Sequence, residues 1–146
     1  MGYALFSQRK LVLTAQLDNY QLQLSQRDNE QYAIACDQAA LKQQLSTLGA
    51  AQAGELADLY EILADSNSEE RESINYLIKA KQEQFKQETD DINREIYVVS
   101  QKEARINLEK KELETRVTKI TKELETIEKA EQDGIDRSTP KFTGLG

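Results

Sequence analysis

Apolar residues recur along the second half of the chain at alternating intervals of four and three residues. Between Ile92 and Ile127 the repeat is unbroken for about five heptads, and nine of its eleven positions are apolar. A repeat of this period places its members on one stripe of an α-helix, which is typical of a coiled coil. Towards the N-terminus the same register passes through Thr89, Phe85, Gln82 and Ile78.

Both ends of this helix carry sequence signals, and we predict that it spans about residues 68–133. Ser66 lies three residues before Glu69, which is the spacing of a capping box, and acidic residues fill the first turn. Gly134 is the predicted C-cap and Pro140 the stop, so residues 134–146 are predicted to form a turn-rich C-terminal tail.

The stretch LVLTAQLDNYQLQL, Leu11 to Leu24, is compatible with two structures. Its alternation fits a strand hairpin that turns at Asp18-Asn19, and its heptad spacing fits a helix. Two-residue hairpins favour Asn-Gly or Asp-Gly, and a lone hairpin without a third strand is marginal in water. We therefore predict a helix here, with Leu11, Val12 and Leu22 widening its apolar face.

The heptad register of this first helix extends as far as Leu48 and then slips. Leu56, Leu59 and Leu63 fit only if extra residues are inserted around Gly49 to Gly54, which indicates a stutter or a short break. We predict helix over about residues 5–48 and 51–64, with a break near 49–54. The seam positions up to the slip, apolar ones first, are Leu13, Leu17, Tyr20, Leu24, Ile34, Leu41, Leu45, Leu48, Arg27, Gln31 and Gln38.

The predicted fold is all-α, a long antiparallel coiled-coil hairpin that turns near residues 65–68. The helical pieces before and after this turn have similar lengths, and residues 1–146 are expected to form one elongated domain. Polar residues interrupt both seams, so an isolated hairpin would be marginally stable and we expect it to associate with other copies. The short tail offers Phe142 and Leu145 as side chains that could dock on a neighbouring copy.

Charge is concentrated in the middle of the chain. Residues 55–95 hold five basic and twelve acidic residues and account for the net charge of −7, whereas the flanking segments are balanced. In the predicted hairpin the acidic segment contains the turn. Repulsion would keep such ends apart in solvent, while the balanced segments could pack densely.

The composition leaves little room for catalysis or cofactors. With no histidine and a single cysteine, Cys36, the usual proton shuttle and zinc ligands are missing, and no glycine-rich phosphate loop occurs. We predict no enzyme activity, cofactor, metal or nucleic-acid binding, and no membrane span or cleaved signal peptide. Asp65, Asn67 and Glu69 are spaced like calcium ligands, but the glycine and the final glutamate of an EF-hand are absent.

The stretch LTAQLDNYQLQLSQRDNEQYAIACDQAALKQQL, residues 13–45, is rich in Gln and Leu with small residues following. It resembles the N-terminal helices of flagellin, and the near absence of Cys, Trp, His and Pro is similar to flagellin and the secreted filament subunits of type III systems. The resemblance implies export without a cleaved signal and polymerisation through packed terminal helices. It assigns no functional residue.

Two functional hypotheses follow. The first is a non-enzymatic, self-assembling subunit of a filament or similar structure, located outside the cell or on its surface. The second is a cytoplasmic or virion-associated coiled-coil scaffold that binds another helical protein through its seam. The predicted assembly interface consists of Leu11, Leu13, Leu17, Tyr20, Leu24, Leu113, Val117, Ile120, Leu124, Ile127, Phe142 and Leu145.

Overall fold

The structure, a computed structural model, describes residues 2–138 and the side chains of residues 4–134. Two helices account for nearly all of the described chain: α1 covers Gly2–Ala64 and α2 covers Ser68–Ser138. They pack against each other as an all-α helical hairpin, and residues 65–67 form the turn, which confirms the predicted fold class. The stretch from Leu11 to Leu24 is helical throughout, so the strand alternative is wrong.

Two short polar side chains stabilise the turn, one at the start of α2 and one at the end of α1. Asn67 caps α2, because its Oδ1 accepts the Glu70 backbone N–H at 3.0 Å. Ser66 Oγ donates to the Leu63 carbonyl at 2.7 Å and so serves the end of α1. The prediction that Ser66 caps α2 with Glu69 is wrong by one residue, since Asn67 directly precedes the helix and reaches the same orphan N–H groups.

The break predicted near residues 49–54 is absent, because α1 continues through it. Neither Gly49 nor Gly54 has a positive φ, so both keep helical geometry. A glycine inside a helix costs about 1 kcal/mol relative to alanine, whereas a break would forfeit several backbone hydrogen bonds and the packing beyond them. The register slip is instead a true stutter, in which the half-buried positions Leu48, Gln52 and Leu56 follow one another at intervals of four.

A matching stutter lies in α2. The seam-facing positions there are Lys81, Phe85 and Thr89, again at intervals of four. The prediction that Gln82 occupies the seam is therefore wrong: Gln82 is exposed and Lys81 is half-buried. Gln52 Nε2 donates to the Phe85 carbonyl at 3.2 Å, so the two stutters face each other.

The C-terminal end of α2 extends beyond the predicted cap. The helix continues through Gly134 to Ser138, and Gly134 has neither a positive φ nor a neighbouring atom near the place of a side chain. Gly134 is thus a helical residue, and the predicted C-cap is wrong. The predicted stop at Pro140 lies outside the described residues.

Contacts divide the chain into two compact units, each built from a part of both helices. Unit 1 comprises Met1–Glu30 and Arg105–Gly146, and unit 2 comprises Gln31–Ala104. Every buried side chain within residues 4–134 is apolar and sits on the seam. The core of unit 1 consists of Leu13, Ile106, Leu113 and Ile120, and that of unit 2 consists of Ile34, Ile78 and Phe85.

Candidate interaction surfaces

Polar seam positions in unit 1 are matched across the two helices. Lys110 Nζ lies 2.6 Å from Asp28 Oδ1, and Arg27 Nε lies 2.9 Å from Glu109 Oε2. The Arg27 Nε–H is not aligned for a hydrogen bond, so the second contact is one of charge alone. Arg27 Nη1 also donates to Glu30 at 2.7 Å. These pairs offset part of the cost of placing charge at the seam.

Unit 2 pairs its polar seam positions in the same way. Gln38 Nε2 donates to Glu103 Oε2 at 2.6 Å, and Lys81 Nζ lies 3.7 Å from Glu55 Oε2. Polar pairs at seam positions specify the register of a coiled coil at some cost in stability. The polar seam residues that made the hairpin look marginal therefore also fix which turn of α1 faces which turn of α2.

The seam residues predicted as an assembly interface are largely used within the chain. Leu13, Leu113 and Ile120 are buried, and Leu13 is only 1% exposed, so no surface remains there for a second molecule. The half-buried residues are Leu17, Tyr20, Leu24, Val117, Leu124 and Ile127. Leu11, which lies off the seam, is 72% exposed, and Phe142 and Leu145 lie outside the described residues.

An exposed apolar strip runs along α1, opposite its seam. We define this outer face of α1 by Leu11, Ala15 and Leu22, whose spacings of four and seven residues keep them on one side of the helix. Leu22 is 59% exposed, and the residues one helical turn from Leu11 are all uncharged. Asp18 lies between Ala15 and Leu22 on the same side of the helix, so a second neighbour could cover the Leu11 end of this face without burying a charge.

A groove of about 810 Å³ lies on unit 1, where the first turns of α1 meet the later turns of α2. Leu5, Phe6, Val12 and Ile127 make its surface apolar. Along its α2 side are the exposed residues Lys119 and Lys122, which make no ion pair with the described residues. Lining positions that sequence reasoning did not predict are Gln8, Arg9, Lys119, Lys122, Glu123 and Thr126.

One threonine side chain lies on the α2 side of this groove. Thr126 Oγ1 donates to the Lys122 carbonyl at 2.9 Å, so its hydroxyl group is bonded within its own helix. A threonine bonded back to its own helix directs its methyl group away from that bond. The threonines of α2 are visible in the sequence. The tendency of a helical threonine to bond to the carbonyl four residues before it was the signal that could have predicted this contribution to the groove.

The end of unit 2 that contains the turn is negatively charged, opposite in sign to the lysines of the unit 1 groove. Residues 58–72 hold six acidic residues and one basic residue, and none of them forms an ion pair within the described chain. On α1, Ile62 is 54% exposed and has Asp58 four residues before it and Asp65 three residues after it. We call Asp58, Ile62 and Asp65 the acidic ridge. The Asp65 backbone N–H bonds to Glu61 at 3.4 Å, so the ridge keeps helical spacing to its end.

The remaining chemistry of the described residues is sparse. They contain no cluster of three or more His, Cys, Asp or Glu that could hold a metal ion, and neither helix is apolar enough over a sufficient length to cross a membrane. Cys36, interpreted from the sequence as a small apolar residue, is an exposed free thiol on α1.

Comparisons with protein-family models, curated proteins and solved structures found no match.

Proposed function

We propose that this protein is a non-enzymatic structural subunit that assembles with copies of itself through its helices. In its fuller form the proposal is a filament subunit that acts at or outside the cell surface. The observation that carries the proposal is the outer face of α1, where Leu11 and Leu22 are more than half exposed on a helix already packed on its other side. Large exposed apolar patches on soluble proteins mark protein–protein interaction sites.

The small number of buried side chains also supports self-assembly. Only seven apolar side chains are buried within residues 4–134, and the seams that hold them are interrupted by Arg27, Gln38, Gln52, Glu103 and Lys110. Each interruption replaces an apolar contact by a polar pair whose net contribution is small. Packing the outer face of α1 against another copy would add apolar burial that the hairpin cannot supply by itself.

The test is the state of the purified full-length chain as its concentration rises. We expect light scattering to increase with concentration and negative-stain microscopy to show regular assemblies. Discrete dimers or tetramers at every concentration would rule out a filament, and a monomer at every concentration would overturn self-assembly itself. In that last case a helical partner protein would be the better explanation of the exposed face.

The C-terminal tail provides a second variable in the same experiment. Deleting residues 140–146 removes Phe142 and Leu145, which the sequence predicts to dock on a neighbour. We expect circular dichroism to stay helical while assembly weakens. Unchanged assembly after the deletion would show that the tail does not dock.

A further inference from the structure

We propose that the unit 1 groove receives the acidic ridge of a second copy, with Ile62 inserted between the apolar lining and the flanking carboxylates paired with Lys119 and Lys122. This inference rests on the proposed self-assembly and adds a second contact between copies, besides the one proposed for the outer face of α1. Its basis is complementarity in two properties at once, apolar shape and charge.

The apolar half of the match is one exposed side chain facing one apolar groove. Ile62 is 54% exposed, and the groove offers Leu5 and Val12, which are 69% and 45% exposed. All three would lose water-accessible apolar surface on contact, which is the main favourable term in association. An isoleucine side chain would fill only part of an open groove of about 810 Å³, and neighbouring residues of the second copy would occupy the rest.

The charged half of the match consists of two carboxylates and two ammonium groups. Asp58 and Asp65 form no ion pair within the described residues, and the same holds for Lys119 and Lys122. The groove's remaining charges, Arg9 and Glu123, already pair with each other at 3.3 Å. The lysines therefore give the groove its net positive charge, and complementary charge at an interface fixes orientation and speeds encounter.

The groove and the ridge are different surfaces, so the contact between two copies is heterologous. Each added copy brings one groove and one ridge, and a repeated heterologous contact produces either a closed ring or an open filament. The proposed docking therefore explains how one type of contact could propagate an assembly. It also assigns a binding role to the acidic turn end, which would have none if its charges were only solvated.

Charge reversal of each surface tests the proposal on the full-length chain. We expect Lys119→Glu/Lys122→Glu and Asp58→Lys/Asp65→Lys each to raise the concentration of half-maximal assembly by about tenfold or more, since like charges would then oppose each other. The first variant makes the net charge more negative and the second less negative. A shared loss cannot then come from net charge.

Recombining the reversed surfaces should restore assembly. In an equal mixture, the groove of each variant can meet a ridge of opposite charge on the other variant. In one chain that carries all four substitutions, the groove and the ridge again have opposite charges. We expect assembly at close to the wild-type concentration, weakened by added salt as for the wild type. Lys42→Glu/Lys79→Glu, which reverses two exposed lysines elsewhere, is the matched control and should assemble normally.

The outcomes separate this proposal from the one it rests on. If the wild type assembles and either reversed variant does so equally well, or if recombination restores nothing, the docking proposal is overturned while self-assembly stands. If the wild type does not assemble, both fail. We expect each variant to remain folded because all the altered side chains are exposed. Far-ultraviolet circular dichroism checks this for each variant.

A disulfide test supplies direct evidence of proximity. In a Cys36→Ser background, chains carrying Val12→Cys are mixed with chains carrying Ile62→Cys and oxidised. We expect a covalent heterodimer in the mixture, and Ile62→Cys mixed with Leu108→Cys as the control should give little. Equal yields from both mixtures would contradict docking at the groove.

Discussion

The two helices share one seam but present different outer surfaces. α1 carries four basic and seven acidic residues among its 63, whereas α2 carries 14 basic and 18 acidic residues among its 71. On α1, Leu11 is exposed and the residues one helical turn from it are uncharged, whereas Leu22 has Asp18 one turn before it. On α2, Leu108 is 65% exposed, but Arg105, Lys111 and Glu112 surround it at helical spacing.

This contrast separates the residues that fold the chain from those available for association. The seam needs only one apolar stripe on each helix, and α2 intersperses its other exposed apolar residues, such as Tyr76 and Val98, with charged ones. α1 retains apolar side chains on its other side, where the hairpin does not use them. The difference predicts that substitutions in the α2 seam act on folding and that substitutions on the outer face of α1 act on assembly.

The largest effect should come from breaking the seam of α2. Ile120 is 6% exposed, and Ile120→Asp would place a carboxylate in the unit 1 core and remove its packing. A loss of at least about 3 kcal/mol is expected, a large part of the stability of a small domain. Circular dichroism should show loss of helix together with loss of assembly. Thr121→Asp, at the exposed adjacent position, should remain folded, and a folded Ile120→Asp would contradict the assigned core.

A smaller effect on folding and a clear effect on assembly should come from the outer face of α1. Leu11→Glu/Leu22→Glu adds charge where a neighbour is proposed to pack, so we expect helicity to be retained and assembly to be lost. Leu108→Glu makes the same change on α2 and should alter neither. If Leu108→Glu impaired assembly as strongly, the contrast between the two outer surfaces would not hold. Sedimentation velocity with circular dichroism measures both properties.

The smallest effect should come from the glycines inside α1. Gly49 and Gly54 are helical with open space around them, so Gly49→Ala and Gly54→Ala should each stabilise the hairpin by roughly 0.5–1 kcal/mol, because alanine loses less backbone entropy. Gly134→Ala, close to the described end of α2, should gain less because helix ends fray. The urea unfolding midpoint checks all three. Destabilisation at Gly49 or Gly54 would mean that α1 does bend there.

Much of the hairpin could be predicted because heptad spacing reports directly on which side chains face the partner helix. The register drawn from Ile92 onwards includes Ile106, Leu113 and Ile120, and its backward extension includes Ile78 and Phe85, all of which are buried. The errors occur where local signals compete with packing over a long helix. The glycine-rich stretch indicated a break, but continuous packing on both sides outweighs the cost of two glycines.

The candidate surfaces were less predictable than the fold. The outer face of α1 was visible in the sequence as extra apolar residues around Leu11 and Leu22. The unit 1 groove was not, because its lining combines residues more than a hundred positions apart, such as Val12 and Lys122, and depends on how the two helices are staggered. The role of Asn67 as cap was missed because Ser66 offers the same chemistry one residue earlier.

The paired stutters have a mechanical consequence within unit 2. Helices that keep a seven-residue repeat must wind around each other left-handedly, whereas a stutter lengthens the local repeat to eleven residues, or about 3.67 residues per turn, and relaxes that winding. Because Gln52 and Phe85 place both stutters at one level, the two helices can run side by side there without twisting. The helix pair of unit 2 should therefore be less supercoiled at the Gln52–Phe85 contact than in the heptad segments on either side of it.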